Sequence, residues 1–470
     1  MINKTKVVVT VGPSTSSYEQ LKKLILNGTD VIRINMSYAN YIFCTDVINN
    51  VNALNDELNL EVAVLMDLMG PEIRTGKFVG GQAYLREGDK LEIVADTIVG
   101  NNTRFSINYP NLINEIDYDS EVLLDDGLIG IKLIDKKYDS LVFEVLNDGF
   151  IKDYTKLIIK GKSIKLPFLS QKDKDDILFA HKMDVTFLGL SHVKTAEDVL
   201  AVREILKDLD DDNIKIVTKV ETVEALENID TIAKFSDAIN IARGDLGIAL
   251  DFARVPGIQK KIINICHNKK IASLVSTELM SSMEHSIRPT RAEVSDVANA
   301  ILDGCDAIVL SGEVAVGKFP IDTLIMLEKI IAATEMDMEY QCYTKLDESS
   351  KNITDAIAIS VVNAVNNLNC KAIIAPTNSG GTARKFSFYR PKCPIIAVSP
   401  NVHALKALQL NFAVNPVLIN ELDTLDKIIS VSKEITKNII DIHKKDKIII
   451  TGGYPFKDVK ITNFMEIEEF

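Results

Sequence analysis

The sequence predicts an α/β fold, a (β/α)8 barrel of the TIM type that carries an inserted all-β domain and is followed by a C-terminal α/β domain. Short β-branched runs alternate with amphipathic segments of helix length, which is typical of parallel βα units. About eight such units can be counted, which is the number that closes a barrel. One segment interrupts the alternation with strand-like runs and turn residues but no helical periodicity, and this predicts the insertion.

The barrel strands are predicted from these runs in chain order. The first unit combines a strand at 6–11 with a helix at 17–27, and a long helix separates the second and third strands. The strands are expected at residues 6–11, 30–34, 61–66, 185–190, 215–220, 238–242, 271–275 and 307–310. Their apolar character indicates buried strands of a parallel sheet.

The chain divides into four predicted segments. They are 1–71, the first part of the barrel; 72–165, an inserted all-β domain; 166–340, the second part of the barrel; and 341–470, a C-terminal α/β domain. Turn signals at Asp126-Gly127 and Asp148-Gly149 favour short strands in the inserted domain. The polar stretch 343–352 predicts a linker, and further strands are expected near 372–375, 395–398 and 447–450.

The composition is that of a globular protein. The 470 residues include 53 Lys and Arg and 66 Asp and Glu, so the formal net charge is −13 and the pI is about 5.1. An acidic chain is a poor nucleic-acid binder, and no apolar run reaches the roughly 18 residues of a membrane helix. We therefore expect a cytoplasmic enzyme that binds neither nucleic acid nor membrane.

The six cysteines and six histidines show no metal-binding or redox spacing. No cysteine pair forms a CxxC motif, and no histidine pair forms HExxH. We expect reduced, mostly buried thiols and structural histidines.

Most predicted barrel strands end in polar or charged residues. These ends include Thr10 to Pro13, Arg33 to Ser37, Asp67, Lys219 to Glu221, Arg243 to Asp245, Ser276 to Glu278, and Ser311 to Glu313. In a βα barrel the carboxyl ends of the strands meet at one rim, where the chemistry takes place. The pattern therefore predicts one site that contains carboxylates, a lysine and arginines.

The residue types indicate what this site binds. Glu221 and Asp245 are hard oxygen ligands that suit Mg²⁺. Arg33, Arg74 and Lys219 offer positive charge to a phosphoryl group. Residues 244–247 can open a helical turn whose N–H groups hold an anion. An alternative is a simple rim ion pair between Lys219 and Glu221, since residues two apart on a strand face the same side.

These residues belong to long motifs, and the chain resembles pyruvate kinase over essentially its whole length. The motifs are RPTRAE at 288–293 with SDVANA at 295–300, LSGE at 310–313, ARGDLG at 242–247, GPEIRTG at 70–76, and the opening strand at 5–13. They occur in the family's order and spacing. The resemblance implies the architecture predicted above, with the β domain inserted after the third barrel strand.

The resemblance implies transfer of a phosphoryl group from phosphoenolpyruvate to ADP, followed by protonation of the enolate to pyruvate. Lys219 and Arg33 are implied to stabilise the phosphoryl group in flight. Thr277 is implied to lie near the enolate, and we expect a relay role because a threonine hydroxyl is a weak acid. The implied catalytic residues are Lys219, Thr277, Arg33 and Arg74, and the implied substrate-binding residues are Arg33, Lys219, Gly244, Asp245 and Thr277.

The resemblance also implies Mg²⁺ (or Mn²⁺) and K⁺ as cofactors. Glu221 and Asp245 are the implied Mg²⁺ ligands. The implied K⁺ ligands are Asn35, Ser37, Asp67 and the Leu68 carbonyl. Glu72 stands where K⁺-dependent members usually carry Glu, so we predict K⁺ dependence.

The nucleotide site resembles the family's in part. The implied nucleotide-binding residues are Thr10, Pro13, Asn35 and Arg74. Tyr38 stands where many members carry a nucleotide-contacting His. Residues 153–162 do not reproduce the family's Lys-Gly-Val-Asn-Leu-Pro-Gly stretch, so the lid lysine that meets ADP is unassigned, and Lys156 is a candidate.

The C-terminal domain contains a candidate effector loop, which consists of Thr377, Asn378, Ser379, Gly380, Gly381 and Thr382. Family members often bind a sugar-phosphate activator here, and the loop is either such a phosphate cradle or an ordinary N-capped βα loop. Lys457 and Lys460 are available to complete a pocket. By analogy with the family we also expect a homotetramer.

Two other hypotheses remain open at this stage. One is a Schiff-base aldolase that uses Lys219. The other is a catalytically silent family member that binds metabolites or acts as a scaffold. The presence of Lys219, Glu221, Asp245 and Thr277 favours an active phosphotransferase.

Overall fold

The computed structural model describes residues 3–125, 127–160, 166–337, 352–420, 424–454 and 461–470. Several sequence predictions lie outside these ranges. They are Lys457, Lys460, Asp126, Cys342 and residues 343–351 of the predicted linker. The predicted segment boundaries at 165 and 340 also fall there, and all the segment boundaries stay predictions.

The chain opens with two and a half βα units. They consist of β1 (Lys6–Thr10), α1 (Tyr18–Leu26), β2 (Val31–Asn35), α2 (Tyr41–Leu58) and β3 (Ala63–Asp67). Ser17 caps α1 by accepting a hydrogen bond from the Gln20 amide, a typical N-terminal signal. The strand bounds lie within one or two residues of those predicted.

An inserted β domain follows β3. Its elements are β4 (Ile73–Arg74), β5 (Gln82–Leu85), β6 (Lys90–Val94), β7 (Arg104–Ser106), the one-turn helix α3 (Leu112–Glu115), β8 (Glu121–Leu124), β9 (Ile129–Lys136), β10 (Ser140–Val145), β11 (Gly149–Lys152) and β12 (Lys156–Ile159). Seven strands form one sheet in the order β4-β12-β8-β9-β10-β6-β7, and β11 pairs with β5. The domain has its own apolar core, which includes Phe105 and Phe143. We refer to this domain as the lid.

The barrel resumes after the lid. Its elements are α4 (Gln171–Lys182), β13 (Phe187–Leu190), α5 (Ala196–Asp208), β14 (Lys215–Val220), α6 (Val223–Glu227), α7 (Ile229–Phe235), β15 (Ala238–Ala242), α8 (Arg243–Ala249), α9 (Val255–Lys269), β16 (Ala272–Ser276), α10 (Arg291–Leu302), β17 (Ala307–Leu310), α11 (Gly312–Ala315) and α12 (Pro320–Asp337). The Thr290 side chain and Glu293 form a capping box at the start of α10.

Eight parallel strands close the barrel in the order β1-β17-β16-β15-β14-β13-β3-β2, which confirms the predicted fold class. The lower interior is filled by small and branched side chains such as Val8, Leu65, Val217 and Leu274. Alternate residues face the helices, because successive side chains of a strand point to opposite faces. The remaining positions face the barrel interior. At the carboxyl ends of the strands, polar residues occupy these inward positions.

The C-terminal domain is an α/β sheet domain. Its elements are α13 (Ile353–Leu368), β18 (Ala372–Pro376), α14 (Gly381–Phe388), β19 (Ile395–Ser399), α15 (Val402–Lys406), β20 (Val414–Leu418), α16 (Leu425–Ile439), β21 (Lys447–Gly452) and β22 (Phe464–Glu469). The sheet order is β20-β19-β18-β21-β22. The sequence analysis missed the two edge strands. Pro416 interrupts the pattern of β20 and acidic residues dominate β22, and edge strands tolerate both because one side is unpaired.

Within the described ranges, no helix is both long enough and apolar enough to cross a membrane. Five cysteines in those ranges are free and buried: Cys44, Cys266, Cys305, Cys370 and Cys393. The predicted buried thiols are thus seen at these five positions.

One histidine of the barrel lies against the C-terminal domain, and its burial leads us to expect a fold that is less stable in acid. Burial, with the nearby charges of Arg390 and Lys270, lowers the pKa of His267 on α9 from 6.5 to about 4. Because the folded pKa lies below the unfolded one, the unfolded chain binds the proton more readily, and stability falls as the pH drops from about 6.5 towards 4. The free energy at stake is about 3 kcal/mol at most.

We therefore expect the melting temperature of His267→Gln to fall less than that of the wild type when the pH is lowered from about 7 to about 5. Thermal melts followed by circular dichroism measure this. His443→Gln, which changes an exposed histidine, serves as the control and should follow the wild type. Identical acid profiles for His267→Gln and the wild type would contradict the prediction.

Candidate active site

The first group of site residues meets where β1, β2 and β3 end. Arg33 donates from Nε to Asp67 Oδ2 over 2.9 Å and from Nη2 to the same oxygen, and its Nη1 donates to Thr10 Oγ1 over 2.9 Å. Asn35 pairs with Asp67 across β2 and β3. The guanidinium is thus fixed at the rim by a carboxylate of the next strand.

Lys219 on β14 joins this group. Its Nζ lies 2.8 Å from Glu221 Oε1 and 3.5 Å from Asp67 Oδ2, and it donates to Ser191 Oγ over 2.9 Å. Burial lowers the pKa of Lys219, but the charges of Asp67 and Glu221 outweigh burial and raise it above its ordinary value. Lys219 is therefore a permanent ammonium held by two carboxylates.

The pKa of Asp67 shifts in the opposite direction to that of Lys219. Burial raises its pKa, but Lys219 and Arg33 outweigh burial and hold the pKa below its usual range. The carboxylate stays ionised and keeps both cations in place. Removal of one partner would leave buried charge without compensation, which is costly.

A second group links the lid to the barrel through Glu72. Its Oε2 accepts from Arg74 Nε over 2.7 Å, and its Oε1 lies 2.8 Å from His192 Nε2 and 3.1 Å from Lys156 Nζ. Burial raises the pKa of Glu72, but Lys156, His192 and Arg74 together hold it well below its usual range. This carboxylate therefore joins charges from both domains.

Lys156 on β12 reaches across to Asp245, with Nζ 2.5 Å from Oδ1. Burial raises the pKa of Asp245, but Lys156, His192 and Lys219 outweigh it and lower the pKa to about 2. The candidate lid lysine thus lies in the site, against a carboxylate that the sequence assigns to Mg²⁺. Arg74, on β4, also stacks its guanidinium on the Tyr38 ring, 5.1 Å from the centroid.

The third group is a strained turn after β16. Thr277 and Glu278 have φ values of 68° and 52°, in the left-handed region that a β-branched residue such as Thr277 rarely adopts. Arg243 holds the turn by donating to the carbonyls of Thr277 and Glu278, and the Gly244 amide donates to Thr277 Oγ1 over 2.7 Å. Backbone strain that is maintained by several hydrogen bonds in this way is typical of active sites.

The divalent cation predicted for this site is compatible with the donor set. Glu221 and Asp245 are carboxylates at the same rim, and both act on the charge of Lys156. Among the described residues no group of three or more His, Cys, Asp or Glu side chains is arranged to hold a metal. A Mg²⁺ ion bound by two carboxylates takes its other oxygens from substrate and water, as this ion prefers.

The predicted K⁺ ligands also fit. Asp67 Oδ1 is buried and has no hydrogen-bond partner among the described residues, so this carboxylate oxygen is available to a cation. Asn35 Oδ1 accepts from the Ser37 amide over 3.0 Å, and the Leu68 carbonyl accepts from Ser191 Oγ over 2.8 Å. Each of these oxygens has a further lone pair to offer a cation.

The structure does not bring every predicted residue to the same place. Pro13 is exposed and lies in the loop after β1. The effector loop lies in the C-terminal domain, where Gly380 has a φ of 80° as the N-cap of α14 and Thr382 Oγ1 lies 3.2 Å from Thr462 Oγ1. It is a separate candidate site.

Sequence reasoning missed three residues of the site. Ser191 and His192 follow β13, and His192 bridges Glu72 and Glu221, so its assignment as a structural histidine was incomplete. Arg243 was seen only as part of a motif, yet it holds the Thr277 turn. The signal for Ser191 and His192 was their position directly after a predicted strand, which was the criterion used for the other strands.

Two family models match the chain. The model described as pyruvate kinase, barrel domain, matches residues 2–324, and the model described as pyruvate kinase, alpha/beta domain, matches residues 355–468. The chain is similar to proteins named pyruvate kinase from three bacteria. It is 36% identical to that of Clostridium perfringens (strain 13 / Type A), with 100% of both chains covered. It is 36% identical to that of Geobacillus stearothermophilus, with 99% of this chain and 80% of the relative covered. It is 35% identical to that of Clostridium acetobutylicum, with 99% of each covered.

Proposed function

The chain belongs to the pyruvate kinase family and transfers the phosphoryl group of phosphoenolpyruvate to ADP, giving pyruvate and ATP, and from this we propose how its residues divide the work. The observation that carries the proposal is the position of Lys219. Its ammonium group lies between Asp67 and Glu221, in the same group as Arg33.

Lys219 and Arg33 supply the positive charge for the phosphoryl group. Phosphoryl transfer needs positioning and charge stabilisation more than covalent help from the protein. The raised pKa of Lys219 keeps it protonated throughout. The same property disfavours the aldolase hypothesis, because a Schiff-base lysine is activated by a lowered pKa.

Glu221 and Asp245 are the residues that we propose to hold Mg²⁺ or Mn²⁺. A divalent cation held by these carboxylates would neutralise charge on the phosphoryl and substrate oxygens. Lys156 contacts Asp245 where the lid meets the barrel, and this contact supports Lys156 as the lid lysine near the nucleotide. Arg74 and Thr10 line the same rim and are proposed to face the nucleotide phosphates.

Thr277 is proposed to act at the enolate. Its hydroxyl accepts from the Gly244 amide and donates to the Ser276 carbonyl over 2.6 Å, so its orientation is fixed. A hydroxyl held in this way orders a neighbouring water better than it acts as an acid itself. We therefore propose that Thr277 relays the proton and that water is the final proton donor.

One coupled assay tests both the phosphotransfer and the proposed K⁺ site. Pyruvate formation from phosphoenolpyruvate and ADP is followed in a coupled assay with Mg²⁺, in K⁺ or in choline at equal ionic strength. Without K⁺, Asp67 Oδ1 lacks its proposed partner and the rim is less well ordered. We expect the rate to fall by about 10²-fold, the scale on which a misplaced substrate acts.

The assay separates the hypotheses. No pyruvate in either salt would favour the catalytically silent alternative. Equal rates in K⁺ and choline would contradict the K⁺ site while leaving the phosphotransfer intact. A homotetramer and a sugar-phosphate effector at residues 377–382 stay predictions from the family resemblance, and a cytoplasmic location stays a prediction from the composition.

A further inference from the structure

A cavity of about 120 Å³ lies between the barrel and the C-terminal domain, at the opposite end of the barrel from the active site. On the barrel side it is lined by the residues at which strands begin, including Phe187 of β13 and Lys215 of β14. On the other side it is lined by Arg384 of α14 and Leu410.

Arg384 presents an uncompensated cation to this cavity. Among the described residues its guanidinium makes no hydrogen bond or ion pair, and the nearest carboxylate to act on its charge is Asp237. Asp237 is already engaged, because its Oδ2 accepts from Arg203 Nη2 over 2.7 Å and from the Ile216 amide over 2.8 Å. Burial and too little opposite charge lower the pKa of Arg384.

Two lysines add to the positive charge. Lys215 Nζ lies on the Asp212 carbonyl at 2.5 Å and has no ion pair among the described residues. Burial lowers the pKa of Lys215, and Arg384 adds to this effect. Lys270 Nζ is 3.5 Å from Asp355 Oδ1, an oxygen that is also 2.6 Å from Lys385 Nζ.

The cavity and its border thus hold more cations than carboxylates. Within the described part of the chain, Lys215 and Arg384 have no ion pair in a partly buried place, and Lys270 shares its carboxylate with a second lysine. Keeping such charges together costs free energy unless an anion binds between them. Clusters of this kind are therefore typical of sites that recognise a dianion.

We propose that this cavity is a second ligand site, which binds the phosphoryl group of a small phosphorylated metabolite through Arg384, Lys215 and Lys270. The planar guanidinium of Arg384 suits bidentate contact with phosphate oxygens, and the lysines supply point charges. Such a ligand would touch the barrel and the C-terminal domain at once. The site thereby joins the domain of the effector loop to the strands of the barrel, independently of what that loop binds.

The test is isothermal titration calorimetry on the full chain with three probes: inorganic phosphate, a hexose monophosphate and a nucleoside monophosphate. Arg384→Gln is compared with the wild type, and Lys392→Gln, which removes an exposed lysine after α14, is the matched control. We expect Arg384→Gln to weaken binding of at least one probe by about tenfold or more, as loss of a charged hydrogen-bond partner does. Lys392→Gln should bind like the wild type.

A second measurement guards against misfolding of the variant. Because Arg384 has no ion pair with any described residue, Arg384→Gln should melt at or above the wild-type temperature in the absence of ligand, and its turnover should be unchanged. Equal binding of all three probes by the wild type and Arg384→Gln would overturn the proposal, as would absence of binding to the wild type. The probe that depends most on Arg384 distinguishes free phosphate from a sugar or nucleoside phosphate.

Discussion

The Lys219→Met variant is expected to lose turnover by about 10³-fold or more, as expected for a key electrostatic group in the transition state. Methionine keeps much of the side-chain volume but removes the ammonium that lies between Asp67 and Glu221. Arg33 still pairs with Asp67, and the His192 amide still donates to Glu221 over 2.6 Å, so the rim is not stripped of partners. The loss should therefore fall mainly on kcat.

The measurement is a steady-state assay of pyruvate formation, with far-ultraviolet circular dichroism to confirm the fold. Lys207→Met, which changes an exposed lysine on α5, is the matched control and should keep wild-type kinetics. Wild-type turnover by Lys219→Met would show that our assignment of its role is wrong. Successful borohydride trapping of a keto acid on the wild type, abolished in Lys219→Met, would instead favour the aldolase hypothesis.

The second large effect is expected for Glu221→Gln. Glu221 is buried, its Oε1 lies against Lys219 and its Oε2 accepts from the His192 amide. The amide is close in size, but it carries no charge for a divalent cation. We expect turnover to fall by about 10²- to 10³-fold, on the scale of one lost electrostatic contact in an active site.

A readout other than activity is needed, because the variant also disturbs Lys219. Mn²⁺ binding followed by electron paramagnetic resonance should weaken in Glu221→Gln, and Asp208→Asn, which changes an exposed carboxylate at the end of α5, should bind Mn²⁺ like the wild type. If Glu221→Gln binds Mn²⁺ with wild-type affinity, Glu221 is not a ligand. In that case the role of Glu221 is limited to its ion pair with Lys219 at the rim.

The fold was predictable in the parts where local patterns are strong. The barrel strands at Lys215–Val220, Ala238–Ala242 and Ala307–Leu310 have the predicted bounds, because short runs rich in β-branched and apolar residues identify strands of a buried parallel sheet. Edge strands such as Val414–Leu418 were missed, because half of such a strand is exposed and its composition carries little signal.

The sequence indicated which residues belong to the candidate site, but not which of them contact one another. Arg33, Asp67, Lys219 and Glu221 stand at strand ends, and closure of the barrel is enough to bring them together. Their proposed roles stay predictions until the variants are made. The contact of Lys156 with Asp245 joins residues 89 positions apart in different domains, and no local pattern encodes how a lid docks.

By itself the sequence determined the barrel strands and the charge of the rim, since apolar runs and residue type are local properties. Only the tertiary structure decided which charges neutralise one another and which are left over. Burial and distance set the strength of each pair, and neither is written in the neighbouring residues. The bridging His192 and the unpaired Arg384 are the two clearest cases.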